Sequence, residues 1–80
     1  MTDTFAAAGM FYFNKHTQKI NVTQFEYGWQ VTLHTWKKTT WCTTKIWFAP
    51  DLFKAGEIVS DFIAMDNIME EFIPEEACNA

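Results

Sequence analysis

The stretch WQVTLHTWKKTTWCTTKIWF, residues 29–48, predicts a β-hairpin, and this hairpin decides the fold. Apolar and polar side chains alternate along both halves, which is the pattern of strands with one buried face. A turn over residues 37–40 sets Trp36 opposite Trp41. The apolar face of the hairpin then carries Trp29, Val31, Leu33, Cys42, Ile46 and Phe48. The opposite face, called the outer face below, carries three tryptophans, a histidine, a lysine and several threonines.

Length and composition indicate a single small folded domain. Eighty residues support one modest core, and a hydrophobic content of 49% is typical of folded chains rather than disordered ones. No run of about 18 apolar residues occurs, so we expect no membrane span. The first ten residues lack a basic segment, so we expect no signal peptide and a cytoplasmic protein. Cys42 and Cys78 are expected to be reduced thiols.

The net charge of −4 divides unevenly along the chain. Residues 1–50 carry five lysines against Asp3 and Glu26 and sum to +3, whereas residues 51–80 carry eight acids against Lys54 and sum to −7. The chain contains no arginine. Such a division influences the choice of partner more than it influences the fold.

Two further strands are predicted before the hairpin, over residues 10–14 and 19–25, from their aromatic and β-branched residues. Short turns pair Phe13 with Ile20 and Val22 with Leu33, and the main hairpin pairs Val31 with Ile46. All three pairings agree on one core face, and a slip of one residue would break that agreement. The sequence therefore predicts a four-stranded antiparallel meander.

A helix is predicted after the sheet. Asp51 is a suitable N-cap, and an apolar stripe at helical spacing follows from Leu52. The stripe consists of Ile58, Phe62, Met65, Met69 and Phe72. A break is expected near Asp66, with a short second helical piece beyond it. The predicted class is α+β, with a C-terminal amphipathic helix packed on the meander. The domain spans residues 10–73, between an N-terminal segment of residues 1–9 and an acidic tail of residues 74–80.

Two segments of the sequence carry a resemblance to known proteins. KINVTQFEYGWQVTL (19–33) followed by KIWFAPDLFKAGEIVSDFIA (45–64) resembles the layout of small phage-encoded accessory proteins, some anti-CRISPR inhibitors among them. These proteins place a glycine-turn hairpin, a third strand and an amphipathic helix in that order. The resemblance implies a protein that occludes a surface on a larger host protein, in the cytoplasm of the host cell. It assigns no functional residue.

The outer face is the first candidate site. Its candidate binding residues are Tyr12, Phe25, Thr32, His34, Trp36, Trp41, Lys45 and Trp47. Tryptophan and tyrosine are typical anchors of protein interfaces. Stacking of unpaired bases is a second interpretation, disfavoured by the acidic chain and the absence of arginine. A third is that these residues stabilise the sheet or bury it in a homodimer.

The acidic residues of the second half are the other candidate surface, ranked below the first. They are Glu57, Asp61, Glu70, Glu71, Glu75 and Glu76. A solvated helix face explains them simply. Alternatively, they complement a basic groove on a partner protein, where carboxylates would take the place of phosphates.

No catalytic, metal-binding or cofactor-binding motif occurs in the sequence. His16 and His34 have no nucleophile or acid at motif spacing, and the predicted register puts Cys42 and His34 on opposite faces. We therefore expect a non-enzymatic binding protein without cofactor, catalytic residue or metal. The expected partner is a larger host protein or complex. A single-stranded nucleic acid and a second copy of the chain are the alternatives.

Overall fold

The computed structural model describes residues 8–75, which form five strands and one helix. In chain order these are β1 (Gly9–Phe13), β2 (Gln18–Phe25), β3 (Gly28–Lys37), β4 (Thr40–Ala49), α1 (Leu52–Ala64) and β5 (Met69–Pro74). The strands form one antiparallel sheet in the order β4-β3-β2-β1-β5. The predicted α+β class and antiparallel sheet are confirmed. The predictions of four strands and of a C-terminal helix are wrong. Expectations for residues 1–7 and 76–80 lie outside the described residues.

The segment predicted as the end of the helix is the fifth strand. The helix ends at Ala64, and Asp66 has a left-handed φ of 68°, so the predicted break is present. Beyond it the chain extends along β1 instead of resuming a helix. Phe72 still reaches the core, with its ring centroid 4.5 Å from that of Phe11. The backbone N–H and C=O groups along the open edge of β1 need hydrogen-bond partners. The helical spacing of apolar residues in the sequence carries no information about this requirement.

The two N-terminal pairings differ from the predicted ones by two residues each. Phe11 pairs with Ile20 and Val22 pairs with Val31, because the turns lie one residue earlier than expected. Glu26 and Tyr27 make the second turn, and Gly28 begins β3. A slip of two residues leaves every side chain on its predicted face. In these two pairings the predicted faces are therefore correct, although the predicted registers are wrong.

The pairing of β3 with β4 changes register halfway along. Trp36 pairs with Trp41, as predicted. His34 pairs with Thr43 but Leu33 pairs with Lys45, so β4 has one extra residue at this point, Thr44. Such a β-bulge inverts the faces of all residues beyond it. Two predicted core residues, Ile46 and Phe48, consequently lie on the outer face. Two predicted outer-face residues, Lys45 and Trp47, lie on the helix side.

The core lies between α1 and the inner face of the sheet. Its buried residues are Phe11, Phe13, Ile20, Val22, Val31, Ala49, Ala55, Val59 and Phe62. Asp51 caps the helix by accepting a hydrogen bond from the backbone N–H of Lys54 at 2.8 Å. The rings of Phe13 and Phe62 meet edge to face, with centroids 4.9 Å apart. The helix thus covers one face of the sheet, and the outer face has no element of residues 8–75 packed across it.

Candidate functional site

The outer face keeps six of the eight residues predicted for it. These are Tyr12, Phe25, Thr32, His34, Trp36 and Trp41, and the pairings place them on one side of the sheet. The other two, Lys45 and Trp47, lie on the helix side of the sheet because of the bulge in β4. Sequence reasoning missed Met10, Lys19, Ile46, Phe48, Glu71 and Ile73, which share this face. Lys19 was detectable from strand alternation alone, whereas Ile46 and Phe48 depend on the bulge.

One end of the outer face holds a set of mutually packed side chains, called the aromatic cluster. Its members are Tyr12, His16, Lys19, Trp36 and Trp41. The Lys19 ammonium lies 4.2 Å from the ring centroid of Trp41 and 6.0 Å from that of Tyr12. The rings of Trp36 and Trp41 meet edge to face, 5.3 Å apart. Contacts of these kinds contribute about 0.5–1.5 kcal/mol each, so the cluster stabilises the sheet in addition to facing solvent.

His34 lies beside this cluster as a neutral hydrogen-bonding group. Its Nδ1 is 3.1 Å from the Thr43 hydroxyl on β4. Burial lowers the pKa of His34 below its usual value, and the positive charge of Lys19 lowers it further. The imidazole is therefore uncharged at neutral pH. It adds polarity to the outer face without adding a cation that would attract phosphate.

The opposite end of the outer face is apolar and exposed. Phe25, Ile46 and Phe48 form this apolar corner, with 37%, 48% and 66% of their surfaces accessible. The rings of Phe25 and Phe48 meet edge to face at 5.6 Å. Clustered exposure of large apolar side chains is unfavourable in water and commonly marks a contact surface. The bulge in β4 creates this corner, since it turns Ile46 and Phe48 outward.

The predicted acidic surface is divided between two elements. Glu57 and Asp61 lie on α1, whereas Glu70 and Glu71 lie on β5, which corrects their assignment to one helix. Glu75 follows β5, and Glu76 lies outside the described residues. The sequence pattern suggested one face because the strand was read as helix. The described acids therefore do not share one helix face.

Glu70 and Glu71 instead surround His16. The His16 Nε2 lies 2.9 Å from an oxygen of Glu71, and its Nδ1 lies 3.3 Å from one of Glu70. The backbone N–H of His16 also donates to Glu70, at 2.9 Å. The hydrogen bond with Glu71 raises the pKa of His16, and the charges of both carboxylates act in the same direction. The imidazole stacks on Tyr12, with centroids 4.9 Å apart, which joins this ion cluster to the outer face.

The turn that carries His16 has an uncommon backbone. Asn14, Lys15 and His16 are three successive residues with left-handed φ angles of 55°, 59° and 62°. Asn14 anchors the turn, because its side chain donates to Asn67 at 2.9 Å and accepts from the backbone N–H of Ile68 at 3.0 Å. Left-handed residues other than glycine cost free energy. The turn is thus held in place by the linker between α1 and β5.

Trp47 and Lys45 line a shallow groove between α1 and β4. Its volume is about 210 Å³, and the remaining lining residues are Ile58, Asp61, Phe62 and Met65. The Lys45 ammonium lies 5.2 Å from the centroid of the Trp47 ring. Pockets that enclose a small-molecule ligand usually measure about 300–1,000 Å³. The groove is therefore smaller than a usual ligand pocket.

Within residues 8–75, no group of three or more histidine, cysteine or acidic side chains is arranged so that it could hold a metal ion. Cys42 pairs with Thr35 and His34 pairs with Thr43, so the thiol and the imidazole point to opposite sides of the sheet. Across the same residues, no helix has the length and apolar character needed to cross a bilayer.

Comparison of the chain with protein-family models, with curated proteins and with solved structures finds no significant match.

Proposed function

We propose that this chain is a non-enzymatic binding protein that docks the outer face of its sheet onto a larger protein and blocks a working surface there. The observation that supports the proposal best is the apolar corner. Phe48 and Ile46 are 66% and 48% exposed, on a face that no helix of residues 8–75 covers. Protein interfaces concentrate energy in a few large side chains surrounded by polar groups. Thr43 and His34 supply such groups here.

The concrete form we propose is an inhibitor of phage type, acting on a host complex that processes nucleic acid or defends the cell. Its mechanism is steric and needs no catalytic group. The apolar corner would supply the anchors, and the aromatic cluster would extend the contact along the same face. The acids of α1 face away from this surface, so they remain available to a second, basic region of a large partner.

Binding of single-stranded nucleic acid is the alternative from a different class. It is less favoured because Lys19 and Trp36 already contact the Trp41 ring, and His16 stacks on Tyr12. A base would have to displace these contacts or use what remains of the ring faces. His34 is neutral, and the chain has no arginine, so phosphate attraction is weak.

A paired substitution tests the protein-binding proposal. The double variant Ile46→Thr and Phe48→Ser should abolish capture of the host complex and inhibition of its activity. Phe53→Ser is the matched control, because Phe53 is 70% exposed on the helix side and its loss should leave capture intact. Loss of binding in both the double variant and Phe53→Ser, or in neither of them, would contradict docking through the outer face.

Two measurements separate the alternatives. Light scattering of the free protein should give 9.4 kDa, and twice this mass, lost in the double variant, would assign the outer face to self-association. Titration with single-stranded oligonucleotides at low salt should leave tryptophan fluorescence unchanged. Salt-dependent quenching would instead support the nucleic-acid alternative.

A further inference from the structure

His16 joins two parts of the chain that are far apart in sequence. It belongs to the turn between β1 and β2, and its three polar contacts all reach β5, more than fifty residues later. Both ring nitrogens face carboxylate oxygens, those of Glu70 and Glu71. Only an imidazolium can donate from both nitrogens at once, because a neutral imidazole has one donor and one acceptor. The geometry therefore suits the protonated ring.

The surroundings of His16 add two lysines, Lys15 and Lys19. From β1, Tyr12 stacks on the ring, and from β2 the Lys19 ammonium lies beyond Tyr12, 6.0 Å from the tyrosine centroid. Lys15 precedes His16 in the turn, and β5 contributes only Glu70 and Glu71. Two adjacent carboxylates against these lysines favour the charged imidazole, which agrees with the direction of the pKa of His16.

β5 buries little of its own surface. It is an edge strand of six residues with a bulge in its pairing to β1, and five of its six residues are exposed. Its one half-buried side chain is Phe72. A strand with so little burial is among the elements that open first in a native protein.

We propose that His16 is a proton-dependent latch, which holds β5 on the sheet when the imidazole is charged and loosens it when the proton leaves. The latch rests on the fold alone. Its effect on binding rests also on the proposed function, because His16 stacks on Tyr12 of the outer face. Loosening of β5 would remove the carboxylate contacts that fix the His16 ring beside Tyr12, and this would alter the aromatic cluster.

The direction of the pH dependence follows from linkage. A histidine whose pKa is raised by folding contributes stability that is fully present below its unfolded pKa of about 6.5. This contribution is lost as the pH rises through the folded pKa of His16. The latch is therefore strongest in mildly acidic solution and weakens toward alkaline pH.

The test uses the free full-length chain and two NMR measurements. Titration of the two imidazoles should place the midpoint of His16 above 6.5 and that of His34 below it, so that His34 serves as an internal control. Glu71→Gln should move the His16 midpoint down, because it removes the carboxylate whose hydrogen bond is the largest cause of the raised pKa of His16. Glu57→Gln, an equal change of charge on α1, should leave the midpoint unchanged.

The second measurement is the hydrogen-exchange protection of the β5 amides, corrected for the intrinsic pH dependence of exchange. Protection should fall severalfold between pH 5.5 and pH 8 in the natural sequence and stay constant in His16→Gln. Protection of β2 and β3 should not change with pH in either protein. A His16 midpoint at or below 6.5, or β5 protection that is equal at both pH values, would overturn the latch. Neither result depends on a binding partner, so failure here is distinct from failure of the proposed function.

Discussion

The hydroxyl of Thr44 donates a hydrogen bond to the backbone carbonyl oxygen of Leu33 at 3.1 Å, at the point where β4 carries one residue more than β3. On the outer side of the same point, Thr43 contacts His34. The two threonines therefore hold the bulge from both faces of the sheet. Beyond this point, the outward orientation of Ile46 and Phe48 follows from the extra residue, and so does the exposure of Phe48.

Deletion of Thr44 should be tolerated. Removing the additional residue leaves Lys45 opposite Leu33 and Trp47 opposite Val31, as in the natural protein, so no side chain changes face. Deletion of Asn21 is the control, because β2 pairs regularly there and its loss should invert half of that strand. Circular dichroism and thermal melting should show a folded first variant and an unfolded second one. The reverse outcome would refute the bulge.

Trp47→Ala should destabilise the protein far more than Phe48→Ala. Trp47 packs against the core from the helix side, and truncation of a half-buried tryptophan costs about 2–3 kcal/mol. Phe48 is mainly exposed and loses only its edge contact with Phe25, about 1 kcal/mol or less. Urea unfolding measures both values. A larger loss for Phe48→Ala would favour the regular register expected from sequence alternation.

Asn14→Ala should weaken the connection between the first turn and the linker before β5. The substitution removes hydrogen bonds to Gln18, Asn67 and Ile68 and places alanine at a left-handed φ of 55°. We expect a loss of about 2–3 kcal/mol in the free energy of unfolding. Asn21→Ala, on the outer face of β2, is the matched control and should cost less than 1 kcal/mol. Equal losses would show that the Asn14 contacts carry no special weight.

Gly9→Ala should displace β5 from β1. A Cβ at Gly9 would lie 2.5 Å from the carbonyl oxygen of Ile73 and 2.7 Å from the Phe72 ring, and the φ of 149° is itself strained for alanine. We expect about 2 kcal/mol of destabilisation and a loss of hydrogen-exchange protection in β5. Gly28→Ala meets Ala49 at the other side of the sheet and should spare β5. Intact β5 protection in Gly9→Ala would contradict this packing.

Much of the fold could be predicted from sequence because successive side chains of a strand alternate between its two faces, so that a shift by an even number of residues leaves each face unchanged. Two of the three predicted registers were displaced by two residues, and the core residues Phe11, Ile20 and Val22 still fell on the correct face. The helix start at Asp51 was predictable because its cap is a local interaction. The helix end was predicted too far along, since Met69 and Phe72 fit helical spacing as well as they fit a strand beside β1.

The candidate site was predictable at one end only. The Trp36–Trp41 pair lies next to its turn, where loop length sets the register. The apolar corner lies beyond the bulge, and nothing in the run TWCTTKIWF marks which residue is additional. The association of His16 with Glu70 and Glu71 was equally hidden, because it depends on a strand that the sequence pattern presented as helix.

By itself the sequence determined the local features of this protein: strand periodicity, alternation of faces, the Trp36–Trp41 pair and the helix cap. These depend on residues a few positions apart, whose geometry is set by the backbone. Tertiary structure alone decided the bulge at Thr44, the docking of β5 on β1 and the outward turn of Ile46 and Phe48. Each of these depends on how distant backbone groups find hydrogen-bond partners around a shared core, which is a property of the assembled sheet.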